Sequence, residues 1–136
     1  MERHILNTYL QTPGMKQKVL IIDDEKDICR LLSSILEGLG YDTKISNSLE
    51  EGRSKFISCE PDALFLDIHL PDGNGLDDVP AFRNLKPKIP VMIISAYDSA
   101  GELKKAKKYE VNAFIRKPFT REQVVSALRD IPSTQS

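Results

Sequence analysis

The sequence predicts a right-handed doubly wound α/β domain from about Lys18 to Ile131, in which five strands are each followed by one helix. Three observations carry that prediction. Short runs that are apolar throughout, rather than alternating, fit central strands of a parallel sheet covered by helices on both faces. The stretches between them change to helical periodicity. Three capping boxes mark helix starts, and strands that alternate with helices in this way give parallel strands joined by right-handed crossovers.

The first strand is Val19-Leu20-Ile21-Ile22, which ends in Asp23-Asp24-Glu25. Ile28, Leu31, Leu32, Ile35, Leu36 and Leu39 then follow the i, i+3, i+4, i+7 spacing of one buried helix face, and Gly40 stops that helix. Tyr41 to Ile45 gives a weaker second strand, and Ser48-Leu49-Glu50-Glu51 opens the second helix as a capping box. The third strand, Ala63-Leu64-Phe65-Leu66, ends in Asp67. The helix after it lies between Leu76 and Leu85 and contains Pro80, which is poor in a helix interior but tolerable in a first turn, so a late start or a kink is expected there. Val91-Met92-Ile93-Ile94 is the fourth strand and ends in Ser95; Ser99-Ala100-Gly101-Glu102 caps the helix that follows. Ala113 to Arg116 is a weak fifth strand. The box Thr120-Arg121-Glu122-Gln123 starts a last helix whose apolar face carries Val124, Val125, Leu128 and Ile131, with Pro132 at its end.

Length and composition narrow the function. A chain of 136 residues is about one domain's worth, and 40% hydrophobic against 29% charged residues is a folding composition rather than a disordered one. The net charge of -1 argues against a chain devoted to coating nucleic acid or an anionic membrane. No apolar run approaches the roughly 20 residues of a membrane helix, and residues 1–14 lack the apolar core of a signal peptide, so a cytoplasmic protein is expected. Cys29 and Cys59 have no metal-ligand spacing and read as neutral thiols in a reducing compartment. Residues 1–17 read as an extension ahead of the domain, whether native, an upstream start or a cloning remnant; residues 132–136 read as a tail or the start of a linker.

Ligands of an open parallel sheet bind outside the carboxyl ends of its strands, near the point where strand order reverses. Those ends carry Asp23 and Asp24, Asp67, Ser95 and Lys117. Three carboxylates brought together raise one another's pKa unless a cation compensates. Oxygen ligands without sulfur or imidazole favour Mg²⁺ or Mn²⁺, and Mg²⁺ commonly uses one or two carboxylates while reserving positions for a phosphoryl group. The chemistry this favours is phosphoryl transfer to a carboxylate nucleophile, with a metal and an ammonium neutralising the phosphoryl oxygens.

Residues 18–131 resemble the receiver domain of two-component response regulators, similar to the CheY-like proteins. The resemblance rests on Val19-Leu20-Ile21-Ile22-Asp23-Asp24-Glu25, on Leu66-Asp67-Ile68-His69-Leu70-Pro71-Asp72-Gly73-Asn74-Gly75, on Ile94-Ser95-Ala96 and on Lys117-Pro118-Phe119. It implies a flavodoxin-like (βα)5 fold with strand order 2-1-3-4-5. It further implies Asp67 as phosphoacceptor, Asp24 as a direct metal ligand, Asp23 as a ligand through water, and His69 as a ligand through its backbone carbonyl. Lys117 then contacts the phosphoryl group and precedes a cis Pro118, Ser95 is the switch hydroxyl and Phe114 the switch aromatic. The implied partners are a histidine kinase or histidine phosphotransfer protein as donor. Downstream, the face made by the fourth helix, fifth strand and fifth helix meets an output domain, another protein or a second copy of the domain. Such a module is not an enzyme toward external substrates: it catalyses only its own phosphorylation and dephosphorylation.

Several residues have a plainer reading beside the functional one. Asp72 lies in the turn Pro71-Asp72-Gly73-Asn74-Gly75, where turn geometry explains it. His69 and Tyr97 each stand two residues after a site residue and are expected to tune water access and hence the lifetime of the acyl phosphate. Lys104, Lys105, Lys107 and Lys108 of the fourth helix read first as a solvated basic face and second as a docking surface. Three other readings compete with the signalling module. A receiver belonging to a larger transcriptional regulator fits the same residues. A stand-alone aspartyl-phosphate phosphatase would want an acid-base carboxylate where His69 stands, and a pseudo-receiver would not need the full set of Asp23, Asp24, Asp67, Ser95 and Lys117.

Overall fold

The computed structural model describes residues 16–97 and 99–129 of the chain. The readings of residues 1–14 as an extension, of Ile131 and Pro132 as the end of the last helix, and of 132–136 as a tail concern residues outside that set. In chain order the elements are β1 (Lys18–Ile22), α1 (Lys26–Gly38), β2 (Asp42–Ser46), α2 (Leu49–Cys59), β3 (Ala63–Asp67), β4 (His69–Leu70), β5 (Gly73–Asn74), α3 (Gly75–Leu85), β6 (Val91–Ser95), α4 (Ala100–Lys108), β7 (Ala113–Arg116) and α5 (Arg121–Arg129).

Five of these strands form one parallel sheet in the order β2-β1-β3-β6-β7, which is 2-1-3-4-5 once the small β4-β5 ribbon is set aside. Successive residues of each central strand point to opposite faces, and both faces are covered. Leu20, Ile22, Leu64, Leu66, Val91 and Ile93 pack against Leu49 and Phe56 of α2, Leu76, Val79 and Phe82 of α3, and Ala106 of α4. Val19, Ile21, Phe65, Met92 and Ile94 pack against Cys29, Leu32 and Leu36 of α1 and Val124 and Ala127 of α5. Burial on both sides is why β1 after Lys18, β3 before Asp67 and β6 before Ser95 are wholly apolar.

Five details differ from the sequence expectation. The buried stripe of α1 is Cys29, Leu32 and Leu36, with Leu31 on the exposed side, so the face is rotated by about one position. The second strand runs one residue later than expected, from Asp42 to Ser46. Helix α3 starts at Gly75 and continues through Pro80 rather than starting late. The Asn74 side chain caps it at Leu76 N–H, Asp77 and Asp78 suit its first turn, and its buried Leu76, Val79 and Phe82 anchor it across the proline. The stretch after Asp67 forms an antiparallel ribbon, His69 opposite Asn74 and Leu70 opposite Gly73. Finally, only the Thr120 capping box is reciprocal, Gln123 N–H to Thr120 Oγ1 and Thr120 N–H to Gln123 Oε1. At Ser48 the returning Glu51 carboxylate accepts from Asn47 N–H, and at Ser99 the Glu102 carboxylate turns to His69.

Candidate functional site

Parallel strands put all their carboxyl ends on one edge, and the loops there collect the predicted residues. Chain order takes the path from β1 outward to β2 and back across to β3, so the reversal lies between β1 and β3. Asp23 immediately follows β1, Asp67 ends β3, Ser95 ends β6, and Lys117 follows β7. The close approach beneath this edge depends on Gly75, whose N–H bonds Ile68 carbonyl at 2.7 Å and where an added Cβ would lie 2.0 Å from the Asp67 carbonyl oxygen.

The centre of the site is Lys117. Its ammonium lies 2.7 Å from Asp23 Oδ2, 2.7 Å from Glu25 Oε1 and 3.3 Å from Asp67 Oδ2, with its side chain only 7% exposed. Asp23 is fully buried; its Oδ1 accepts the Glu25 N–H at 2.8 Å, while Oδ2 is paired with the Lys117 ammonium at 2.7 Å. Burial raises the Asp23 pKa against the lowering influence of Lys117. Burial, joined by the charge of Asp23, raises Asp67 to about 6, again against Lys117. Lys117 is itself penalised by burial, but its bonds to Asp23 and Glu25 and the field of Asp67 outweigh that and hold its pKa above the ordinary lysine value. The peptide bond between Lys117 and Pro118 is cis, as expected.

One carboxylate oxygen each from Asp23, Glu25 and Asp67 lie within 4.8 Å of one another. This oxygen-only set of three carboxylates, two of them buried, fits a hard divalent cation. Asp24 is exposed and stands outside this cluster. Glu25, to which the sequence reading gave no role, stands inside it. Its only sequence signal is being the third acid of the run that closes the first strand.

The remaining predicted residues flank this centre. Ser95 is fully buried and its Oγ accepts the Tyr97 N–H at 3.2 Å, while its carbonyl accepts the Lys117 N–H at 2.8 Å. Tyr97 is 65% exposed and meets the His69 ring edge to face at 5.2 Å. His69 Nε2 in turn lies 3.1 Å from Glu102 Oε2 on the first turn of α4. Phe114 sits half-buried on β7 against the α4 side of the core and lines a cleft of about 330 Å³ with Gln123, Ser126 and Ala127 of α5. Asp72 acts away from the centre: its carboxylate accepts from Leu49 N–H at 2.9 Å and Glu50 N–H at 3.0 Å, capping α2. Lys104, Lys107 and Lys108 face solvent, and Lys105 pairs with Asp77 at 2.7 Å.

Comparison with known proteins agrees with this arrangement. The chain is 39% identical over 119 residues to the response regulator protein PilR of Pseudomonas aeruginosa, a match covering 84% of this chain and 26% of that protein. Among solved structures, a two-component response regulator from Clostridium difficile is 29% identical with a TM-score of 0.78, covering 87% of this chain and 100% of that one. A CheY-like receiver domain protein from Methanospirillum hungatei, at 24% identity and a TM-score of 0.80, covers 85% and 92% and shows the shared fold. The chain spans 26%, 46% and 49% of the first three curated relatives it matches, a quarter to a half of their length. The family model for the response regulator receiver domain matches residues 19–129, the same stretch that supplies the sheet, both layers of helices and the acid-lysine centre, and the chain belongs to that family of two-component signalling domains.

Proposed function

We propose that this receiver accepts a phosphoryl group on Asp67 in a Mg²⁺-dependent reaction and relays the change to a partner or output domain. The observation that carries the reading is the Asp67 carboxylate, nearly buried, held 3.3 Å from the Lys117 ammonium and next to an oxygen-only acidic cluster. With a pKa of about 6, Asp67 is mostly ionised at neutral pH and is available as a nucleophile. Attack by its oxygen on the phosphorus of a phosphohistidine forms the acyl phosphate as the P–N bond breaks, and the donor leaves as imidazole. Asp23, Asp24, Asp67 and the His69 backbone carbonyl would hold the ion. Mn²⁺ suits the same donors. When bound, the ion supplies positive charge opposite the transferring phosphoryl oxygens.

The donor is a histidine kinase or histidine phosphotransfer protein. After transfer, Lys117 and Ser95 bond the phosphoryl oxygens, the loop after β6 draws inward, and Phe114 turns into the space this frees. Two states a few kcal/mol apart suffice for such a population shift. The α4-β7-α5 face then meets its partner, whether an output domain, another protein or a second copy of the receiver. Curated relatives include proteins named transcriptional regulatory proteins, of which it covers under half. The module acts in the cytoplasm and performs only its own phosphorylation and dephosphorylation; among the described residues no helix is long and apolar enough to cross a membrane. His69 and Tyr97, in contact at the mouth, govern water access to the acyl phosphate.

Incubation with acetyl phosphate and Mg²⁺ should give base- and hydroxylamine-labile labelling of the wild type and none of Asp67→Asn. Label loss should quicken in a His69→Ala, Tyr97→Ala variant. Undiminished labelling of Asp67→Asn moves the acceptor elsewhere, and an unchanged decay removes the role of the aromatic pair.

A further inference from the structure

Glu25 occupies the N-cap of α1, where a short oxygen side chain usually accepts from the first turn. It makes no such bond. Its carboxylate instead reaches 2.7 Å from Lys117 Nζ while remaining 57% exposed, so among the described residues it is the one partner of that ammonium that lies at the rim. The other two partners, Asp23 and Asp67, are buried, and Lys117 sits between them in the position of a counterion. A divalent cation drawn to those two carboxylates repels the ammonium. Nothing among the described residues except Glu25 offers Lys117 a carboxylate outside that buried pair.

We propose that Glu25 is a positioning residue for Lys117: it gives the ammonium a seat at the rim when a divalent cation takes Asp23 and Asp67, and keeps it at the mouth for the phosphoryl group. This rests on the cation-dependent reading above. Without Glu25, the ammonium has only the buried pair, competes there with the cation, and weakens its binding. The size of the effect follows from a half-exposed ion pair worth about 0.2–1 kcal/mol, or about a 1.4- to fivefold change in Kd.

The test is a double-mutant cycle read by calorimetric titration with MgCl₂ in wild type, Glu25→Gln, Lys117→Ala and the double variant, with Lys117→Met as a second, better-packed replacement. The expected result is that Glu25→Gln weakens Mg²⁺ binding up to about fivefold, while the same change made without Lys117 has no measurable effect. An unshifted Glu25→Gln overturns the role. So does an equal loss in both backgrounds, which makes Glu25 a ligand or a source of field acting on the cation directly. If the wild type itself takes up no Mg²⁺, the cation-dependent reading fails first and this role falls with it.

Discussion

Asp67 stores a cost that its chemistry requires. Its pKa rises from 3.8 in the unfolded chain to about 6 in the folded one, first because the carboxylate is buried and then because Asp23 is negative beside it. At 1.36 kcal/mol per unit this is about 3 kcal/mol at most. Because the folded value is the higher one, the cost is fully present above pH 6, shrinks as pH falls through the window from about 6 to about 4, and vanishes below the unfolded value. Asp67→Asn removes the charge and leaves Lys117 with two of its three carboxylates. With EDTA present, the variant should therefore be more stable than wild type by about 1–3 kcal/mol in urea unfolding at pH 7.5, with the gap closing toward pH 4. A variant less stable than wild type at pH 7.5 would show that the Lys117 pair outweighs burial and repulsion. The same residue-level electrostatics explain why Glu25 escaped a reading from sequence. Three consecutive acids end the first strand, and which side chains turn inward depends on the backbone path into α1, which residue order alone does not specify.

At the scale of elements, spacing conveyed more than detail. The solid runs Val19 to Ile22, Leu64 to Leu66 and Val91 to Ile94 were legible because burial on both faces excludes polar residues from a central strand. The buried face of α1 lies about one position from the one hydrophobicity favours, because Leu31 outranks Cys29 in hydrophobicity, whereas the packed stripe uses the smaller Cys29 with Leu32 and Leu36. The β4-β5 ribbon has two residues per strand, too few for any periodicity to show. Gly75 is the hinge between that ribbon and α3, and backbone, not a movable side chain, occupies the space a Cβ would need. Gly75→Ala should cost more than about 2 kcal/mol in urea unfolding and displace the strand end that carries Asp67. Gly38→Ala, at the last residue of α1 with open space around it, should instead stabilise by about 0.4–1 kcal/mol. Equal stabilities for the two variants would mean that the loop after Asp67 yields without penalty.

Across the whole molecule, anchoring is uneven in a way that bears on signalling. The β1, β3 and β6 strands are buried from end to end apart from the first residue of β1, and α3 buries four residues against them. Helix α4 buries only Ala106. Its C-terminal end is held by Arg83, whose guanidinium donates to the Tyr109 and Glu110 carbonyls at 3.3 Å and to Asn112 Oδ1, with Nε on the Ile89 carbonyl at 3.0 Å. Its N-terminal end has the Ser99 cap and the contact of Glu102 with His69, both near the surface. Local opening free energy follows buried apolar contact and protected hydrogen bonding, so α4 should be the helix that opens most readily, beginning at its N-terminus beside Ser95 and Tyr97. Hydrogen exchange followed by mass spectrometry should show the start of α4, around residues 100–104, exchanging well before α3 and the central strands. Addition of Mg²⁺ and beryllofluoride, a phosphoryl mimic, should change protection there and along β7 while leaving β1 and β3 unaltered. If the change were instead spread evenly over the sheet, the signal would travel by global tightening of the fold. If α4 exchanged as slowly as α3, the sparse anchoring of that helix would not be what the phosphoryl group acts upon.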